Sequence, residues 1–175
     1  MTDFPILFTP RLTLRKIQYE DVHSLLKYAN NKIISDRIVN VPSPYREPEA
    51  VFRIAYVAKG FKNKTHYCFS MITYEKEELI GEISLHIEEP HEKAHLGYWL
   101  GEPFWNQGFT TEAVEAVLKF GFEKLGLELI YASTVKENVA SQRVLLKNGF
   151  IQQDQEGKLL VFVIRKENYE QPDNE

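Results

Sequence analysis

Tyr98-Trp99-Leu100-Gly101-Glu102-Pro103-Phe104-Trp105-Asn106-Gln107-Gly108-Phe109-Thr110-Thr111-Glu112-Ala113 reads as an apolar strand, a loop carrying Gly and Pro, then the opening of a helix. Val114, Val117, Leu118, Gly121 and Leu125 continue that helix at three- and four-residue steps on one face, and Glu112, Glu115, Lys119 and Glu123 recur on the other. This is the pattern of an amphipathic helix. The entry from Gln107 to Thr111 is small or polar around Gly108. A helix N-terminus leaves its first backbone N–H groups unpaired and carries a partial positive charge. With a glycine allowing close approach, such an end can receive a phosphate or pyrophosphate. The same residues also suit a plain strand-loop-helix connection, so the rest of the chain has to decide.

Composition narrows the classes. A chain of 175 residues with 43% hydrophobic and 13% aromatic content predicts one domain over 1–175 with a substantial core. The formal net charge of -4, with no basic run, argues against broad electrostatic binding of nucleic acid. Cys68 is the one cysteine, which excludes an internal disulfide and a cysteine-based metal cluster. Its setting, Tyr67-Cys68-Phe69, predicts a buried structural thiol. No basic region followed by an apolar run opens the chain, and no apolar stretch approaches the roughly 20 residues of a membrane span. The expectation is a cytoplasmic protein with no membrane partner, working as a monomer or homodimer.

Arg11 to Arg15 alternates as a strand does. Val22, Leu25, Leu26 and Ala29 mark a helix within Glu20–Asn30, and Pro48 opens a second one that should stop at Gly60. Strands are expected at about 66–74, 79–88 and 94–101. The polar turns between them, 75–78 and 89–93, are too short for a crossover, so these strands form an antiparallel meander. Leu129–Val135 is a further strand. Asn138–Asn148 is a helix stopped by Gly149, Leu159–Ile164 is a last strand, and a polar tail begins at about Glu170. The sum is an α+β sandwich: a single mixed, mostly antiparallel sheet flanked by helices on both faces.

Several polar positions stand out. Asn138 is a natural N-cap for the last helix, and Ser141 lies in its first turn. Glu82, Ser84 and His86 share one face of strand 79–88, opposite Gly81, Ile83, Leu85 and Ile87. Such a polar stripe is either solvated or faces a cleft. His91 and His95 stand at His-x-x-x-His spacing, but they fall on a turn and the start of a strand and not on one helix face, so no metal is expected. Neither a Gly-x-Ser-x-Gly elbow nor a phosphate-loop lysine motif occurs.

Taken jointly, Thr9-Pro10-Arg11-Leu12-Thr13-Leu14-Arg15, Gly97-Tyr98-Trp99-Leu100, Trp105 to Ala113, Asn138-Val139-Ala140-Ser141 and Lys147-Asn148-Gly149-Phe150 resemble the GNAT acetyltransferases. The closest branch is the RimJ/RimL type, typified by the ribosomal-protein alanine N-acetyltransferases. The likeness spans about residues 8–165, with the motifs in the right order. It implies the GNAT fold and acetyl-CoA as cosubstrate, with CoA as product. The pyrophosphate would sit on Trp105, Asn106, Gln107, Gly108, Phe109, Thr110 and Thr111. Pantetheine would run along the strand ending at Trp99 and Leu100 and touch Asn138.

The chain departs from the family pattern at three places. Asn106 and Thr110 stand where the family commonly has Gly, and Gly or Ala. Asn tolerates left-handed backbone better than most residues. Leu145 stands where many members place a tyrosine that protonates the leaving thiolate. In the RimL-type branch a serine three residues after the Asn is the candidate, and Ser141 matches it. The implied reaction is direct attack of a neutral primary amine on the thioester, with no acyl-enzyme. A base must take the amine's proton. Glu82 is the first candidate, with His95 and Glu156 in reserve. Backbone N–H groups near Trp99 would face the developing oxyanion. The acceptor, a protein N-terminus or a small-molecule amine, is left open, because the 30–65 region expected to contact it carries no readable motif. The alternative function is a GNAT fold that holds CoA as a sensor or scaffold without catalysis.

Overall fold

The computed structural model describes residues 3–37, 42–90 and 92–170. Its frame is an eight-stranded sheet in the order β1-β2-β3-β4-β5-β6-β8-β7. The strands are β1 (Leu7–Phe8), β2 (Leu12–Arg15), β3 (His66–Thr73), β4 (Leu79–Glu88), β5 (Lys93–Leu100), β6 (Leu129–Val135), β7 (Ile151–Glu156) and β8 (Leu159–Arg165). All neighbours are antiparallel except β5 and β6, which run parallel. The expected meander is β3-β4-β5, and the parallel pair is joined by the crossover helix that the opening stretch begins. That helix is α4 (Phe109–Lys119), continued by a π-helical turn over Phe120–Lys124.

Side-chain alternation places an apolar core on each face of this sheet. On one face α4 and α5 (Val139–Lys147) pack through Val114, Val117, Leu118 and Leu145 onto Phe69, Ile83, Leu85, Ile130 and Phe162. On the other, α1 (Val22–Ala29) and α3 (Glu47–Asn63) pack through Leu25, Ala29, Ala50 and Val57 onto Cys68, Ile72, Leu79 and Trp99. Each fully buried aliphatic or aromatic side chain contributes about 1.5–3 kcal/mol. Cys68 is 2% exposed, the structural thiol expected, and burial above all pushes its pKa well up.

Several details differ from the sequence reading. Helix α3 does not stop at Gly60 but runs on to Asn63 and ends on Lys64, whose φ is 57°. Gly60 serves packing instead: a Cβ there would lie 2.0 Å from the His66 ring. The edge strand β7 was not anticipated, because Ile-Gln-Gln-Asp-Gln-Glu has no apolar alternation and its opening residues are exposed. The short helices α2 (Lys32–Arg37) and α6 (Lys166–Glu170) and the two-residue β1 are also additions. The polar tail falls almost wholly on 171–175, which lie outside the described residues, as do His91 in the 89–93 turn and 38–41 in the segment expected to meet the acceptor.

Candidate active site

Strands β5 and β6 stay paired only where Lys93, Ala94 and His95 meet Leu129, Ile130 and Tyr131. Beyond that point they separate, β5 continuing along β4 and β6 along β8. A crevice therefore opens in the sheet between Leu96–Leu100 and Ala132–Val135. Two cavities adjoin it, of about 460 Å³ and about 540 Å³. Both are bordered by Tyr98, Trp99, Asn138 and Ser141.

The first cavity is bounded by the end of β5, the loop into α4 and the exposed side of α5. Trp105 Nε1 donates to the Leu100 carbonyl at 2.7 Å and ties the loop to the strand. Asn106 and Gly108 adopt left-handed φ values of 59° and 83°. The asparagine that departs from the family glycine thus occupies the backbone region it tolerates best among non-glycine residues. Arg11 holds the loop from outside: its Nη1 donates to the Gln107 carbonyl at 2.9 Å, its Nε pairs with Glu112 at 2.8 Å, and it lies 4.2 Å above the Phe109 ring. Gly108 caps the helix, and Thr110 is nearly buried in the first turn.

These features fit a pyrophosphate-bearing cosubstrate. The unpaired N–H groups of the eleven-residue helix α4 face the loop, with a glycine at the point of approach. Arg143 and Lys147, one helical turn apart on α5, add cationic side chains to the wall. The remainder of the lining, Ile33, Ile34, Leu100 and Val144 among it, is apolar enough for an alkyl arm.

The second cavity lies on the other face, beneath α3. The Glu82-Ser84-His86 stripe borders it, so that stripe faces a cleft rather than bulk water. Glu82 is 4% exposed. Its oxygens accept from Trp99 Nε1 at 3.0 Å and from Arg53 Nε at 3.2 Å, and Arg53 reaches down from α3 to form this ion pair. His86 shares a hydrogen bond with Ser84 Oγ at 3.2 Å. Burial, helped by neighbouring positive charge from His66, His95 and Arg53, lowers the His86 pKa to about 4. Burial also lowers that of His95, despite Glu88. Both rings are therefore neutral at physiological pH and each keeps a lone pair.

The cavities meet at the start of α5. Asn138 caps the helix as expected, its side-chain oxygen accepting from the Ser141 backbone N–H at 3.4 Å. Ser141 Oγ is 2.7 Å from the Tyr98 hydroxyl. Of the expected site residues, Trp99, Leu100, Trp105, Asn106, Gly108, Phe109, Thr110, Thr111, Asn138 and Ser141 border the first cavity, and Glu82 and His95 border the second. Gln107 does not line the first; its side chain turns back to the Pro103 carbonyl at 2.9 Å. The Glu156 side chain lies outside the described ones. Leu145 is fully buried in the core, away from the crevice wall. Sequence reasoning missed Arg53, Arg143, Lys147 and Tyr98. The four-residue spacing of Arg143 and Lys147 beyond Ser141 was a readable sign of a cationic wall, whereas nothing in α3 marked Arg53.

Known proteins share this chain's family and fold. Residues 11–151 match the acetyltransferase (GNAT) domain family. The chain is 32% identical over 148 residues to the Bacillus subtilis uncharacterized N-acetyltransferase YoaA, covering 84% of this chain and 83% of that protein. It is 34% identical over 86 residues to the Escherichia coli ribosomal-protein-serine acetyltransferase, covering 49% of this chain and 48% of that one. The fold superposes on the crystal structure of the ribosomal-protein-S5-alanine acetyltransferase from Vibrio fischeri with a TM-score of 0.79 at 18% identity, over 94% of this chain and 98% of that one. With the crevice as its candidate active site, the chain is an acetyl-CoA-dependent N-acetyltransferase and belongs to the GNAT acetyltransferase family.

Proposed function

We propose that this N-acetyltransferase acts on the α-amine at a protein N-terminus, in the cytoplasm, rather than on a polyamine. One observation carries the reading. Among the described residues the only carboxylate bordering the acceptor cavity is Glu82, and Arg53 already neutralises it. A polyamine brings further ammonium groups that need anionic partners, since a buried unpaired charge costs several kcal/mol. A peptide brings one amine followed by backbone amides, which suit a cavity of serines, neutral histidines and open strand edges. The similarity to a ribosomal-protein-serine acetyltransferase points the same way. Nothing in the site favours a non-catalytic sensor.

In this reading acetyl-CoA supplies the activated acetyl carbonyl, with its pyrophosphate on Trp105–Thr111 and its arm along β5 past Asn138. Backbone N–H groups near Trp99 face the developing oxyanion. Ser141 protonates the departing sulfur from the junction of the cavities, while Glu82 receives the amine's proton, directly or through a water. The test is a competition between an equimolar peptide with a free N-terminus and spermidine, read by mass. Acetylation of the peptide α-amine with little acetylspermidine is expected, and preferential acetylation of spermidine overturns the assignment.

The base has its own test. A group that must be deprotonated before attack gives kcat/KM an ascending acidic limb. Glu82→Gln keeps the size and the hydrogen bond from Trp99 but removes the ionisable group, so it should flatten the limb and slow the reaction. If His95→Gln removes the limb and Glu82→Gln retains it, the role passes to His95, whose lowered pKa leaves it neutral and able to accept a proton.

A further inference from the structure

Tyr98 has no part in the chemistry described so far, yet it stands where the two cavities join. Its hydroxyl lies 2.7 Å from Ser141 Oγ and 3.3 Å from the Ser141 carbonyl. Among the described residues it is the only side chain hydrogen-bonded to that Oγ. This contact has two chemical consequences. When the phenol donates to Oγ, the serine's own hydrogen is free to point into the acetyl-CoA cavity, the direction a donor to sulfur must have. A serine that has given up its proton is also an alkoxide, a stronger base than a phenolate, and takes a proton at once from the nearest donor. Burial raises the Tyr98 pKa to about 12, against the pull of its bond to Ser141, so the phenol keeps its proton throughout the neutral range.

We infer that Tyr98 acts through Ser141 as a positioning and relay residue for acetyl transfer, orienting Oγ–H toward the sulfur and returning the proton that Ser141 gives away. The inference rests on the assignment of Ser141 as the proton donor. The amine nitrogen forms its bond to the acetyl carbon, the carbon–sulfur bond breaks, and its electron pair goes to sulfur. The Ser141 hydroxyl proton moves to sulfur, giving the CoA thiol, and the Tyr98 proton moves to Oγ. The phenolate is then reprotonated by water in the open crevice. The proton lost by the amine leaves separately through the base.

Tyr98→Phe keeps the ring that both cavities pack against. It should lower kcat about tenfold, the worth of one hydrogen bond, with the acetyl-CoA Kd and the acceptor KM unmoved. Because the two groups act as a unit, adding Tyr98→Phe to Ser141→Ala should cost little more than Ser141→Ala alone. Difluorotyrosine at position 98 keeps the hydrogen bond and lowers the phenol pKa. It should move the descending alkaline limb of kcat to lower pH, a shift that a purely structural tyrosine would not produce. Wild-type kcat in Tyr98→Phe, or a difluorotyrosine profile superimposable on the wild type, overturns the relay. If Ser141→Ala slows the enzyme while Tyr98→Phe does not, only the relay falls. If Ser141→Ala itself retains full kcat, the assignment of Ser141 falls first and the relay with it.

Discussion

Ser141→Ala lowers kcat by about 100-fold and leaves acetyl-CoA affinity nearly unchanged. The size follows from what a positioned proton donor contributes, roughly 100- to 10,000-fold. The lower end applies because water can enter the open crevice and protonate the thiolate in place of the hydroxyl. The split between kcat and binding follows from timing, since sulfur becomes a strong base only as its bond to carbon breaks. The substitution is also structurally mild. The bond from Ser141 to the Asn138 cap uses the backbone N–H, so the helix start survives. Tyr98 keeps the Ser141 carbonyl as a partner at 3.3 Å. Steady-state kinetics beside calorimetric titration of acetyl-CoA separate the outcomes. Lost affinity with a normal kcat would make Ser141 a binding contact alone.

Gly108→Val weakens acetyl-CoA binding by at least tenfold, through backbone strain at the helix entry. Gly108 sits at φ 83°, a backbone conformation that β-branched side chains adopt only with strain of about 1–3 kcal/mol. A Cβ at this position would meet Arg11 Nη2 at 3.4 Å, an ordinary contact, so the backbone strain and not a clash carries the effect. Relief of that strain shifts the helix N-terminus away from the pyrophosphate proposed to bind there, and a single lost charge-assisted hydrogen bond costs about 1.5–3 kcal/mol. Gly126→Val is the matching control. Gly126 has φ 69°, and a Cβ there meets nothing within 4 Å, so it carries the strain without touching the loop. Equal affinity in a folded Gly108→Val would remove the pyrophosphate from this loop.

The lining of the first cavity was largely legible in the sequence, and that of the second was not. The proposed cosubstrate site draws on two short stretches, 105–111 and 138–141, whose local chemistry announces itself: a glycine before an amphipathic run, an Asn cap, a hydroxyl in the first turn. Asn106 could be read in advance as tolerable because its left-handed φ is a property of the residue type. The acceptor cavity instead depends on which strands neighbour one another. Arg53 and Glu82 are 29 positions apart and meet only because α3 lies across β3 and β4. Tyr98 reaches Ser141 over 43 positions because β5 and β6 part company. Gly60 misled for a related reason, since a helix glycine that makes room for the His66 ring looks like a helix stop. The edge strand β7 was missed because its pairing with β8 fixes it in place, and its polar, partly exposed side chains give no period of two.

In the proposed mechanism the amine and the thioester meet in one crevice and react directly, with Ser141 a proton donor and not a nucleophile. Cys68, the one thiol, is buried and pushed toward its neutral form, so it offers no competing acyl site. Rapid-quench mixing of the enzyme–acetyl-CoA complex with an N-terminal peptide, followed by intact-mass measurement of protein and peptide, tests this directly. Free CoA and acetylated peptide should rise together while the protein mass stays constant at every time point. An acetylated protein that forms and then decays as the peptide product appears would contradict it.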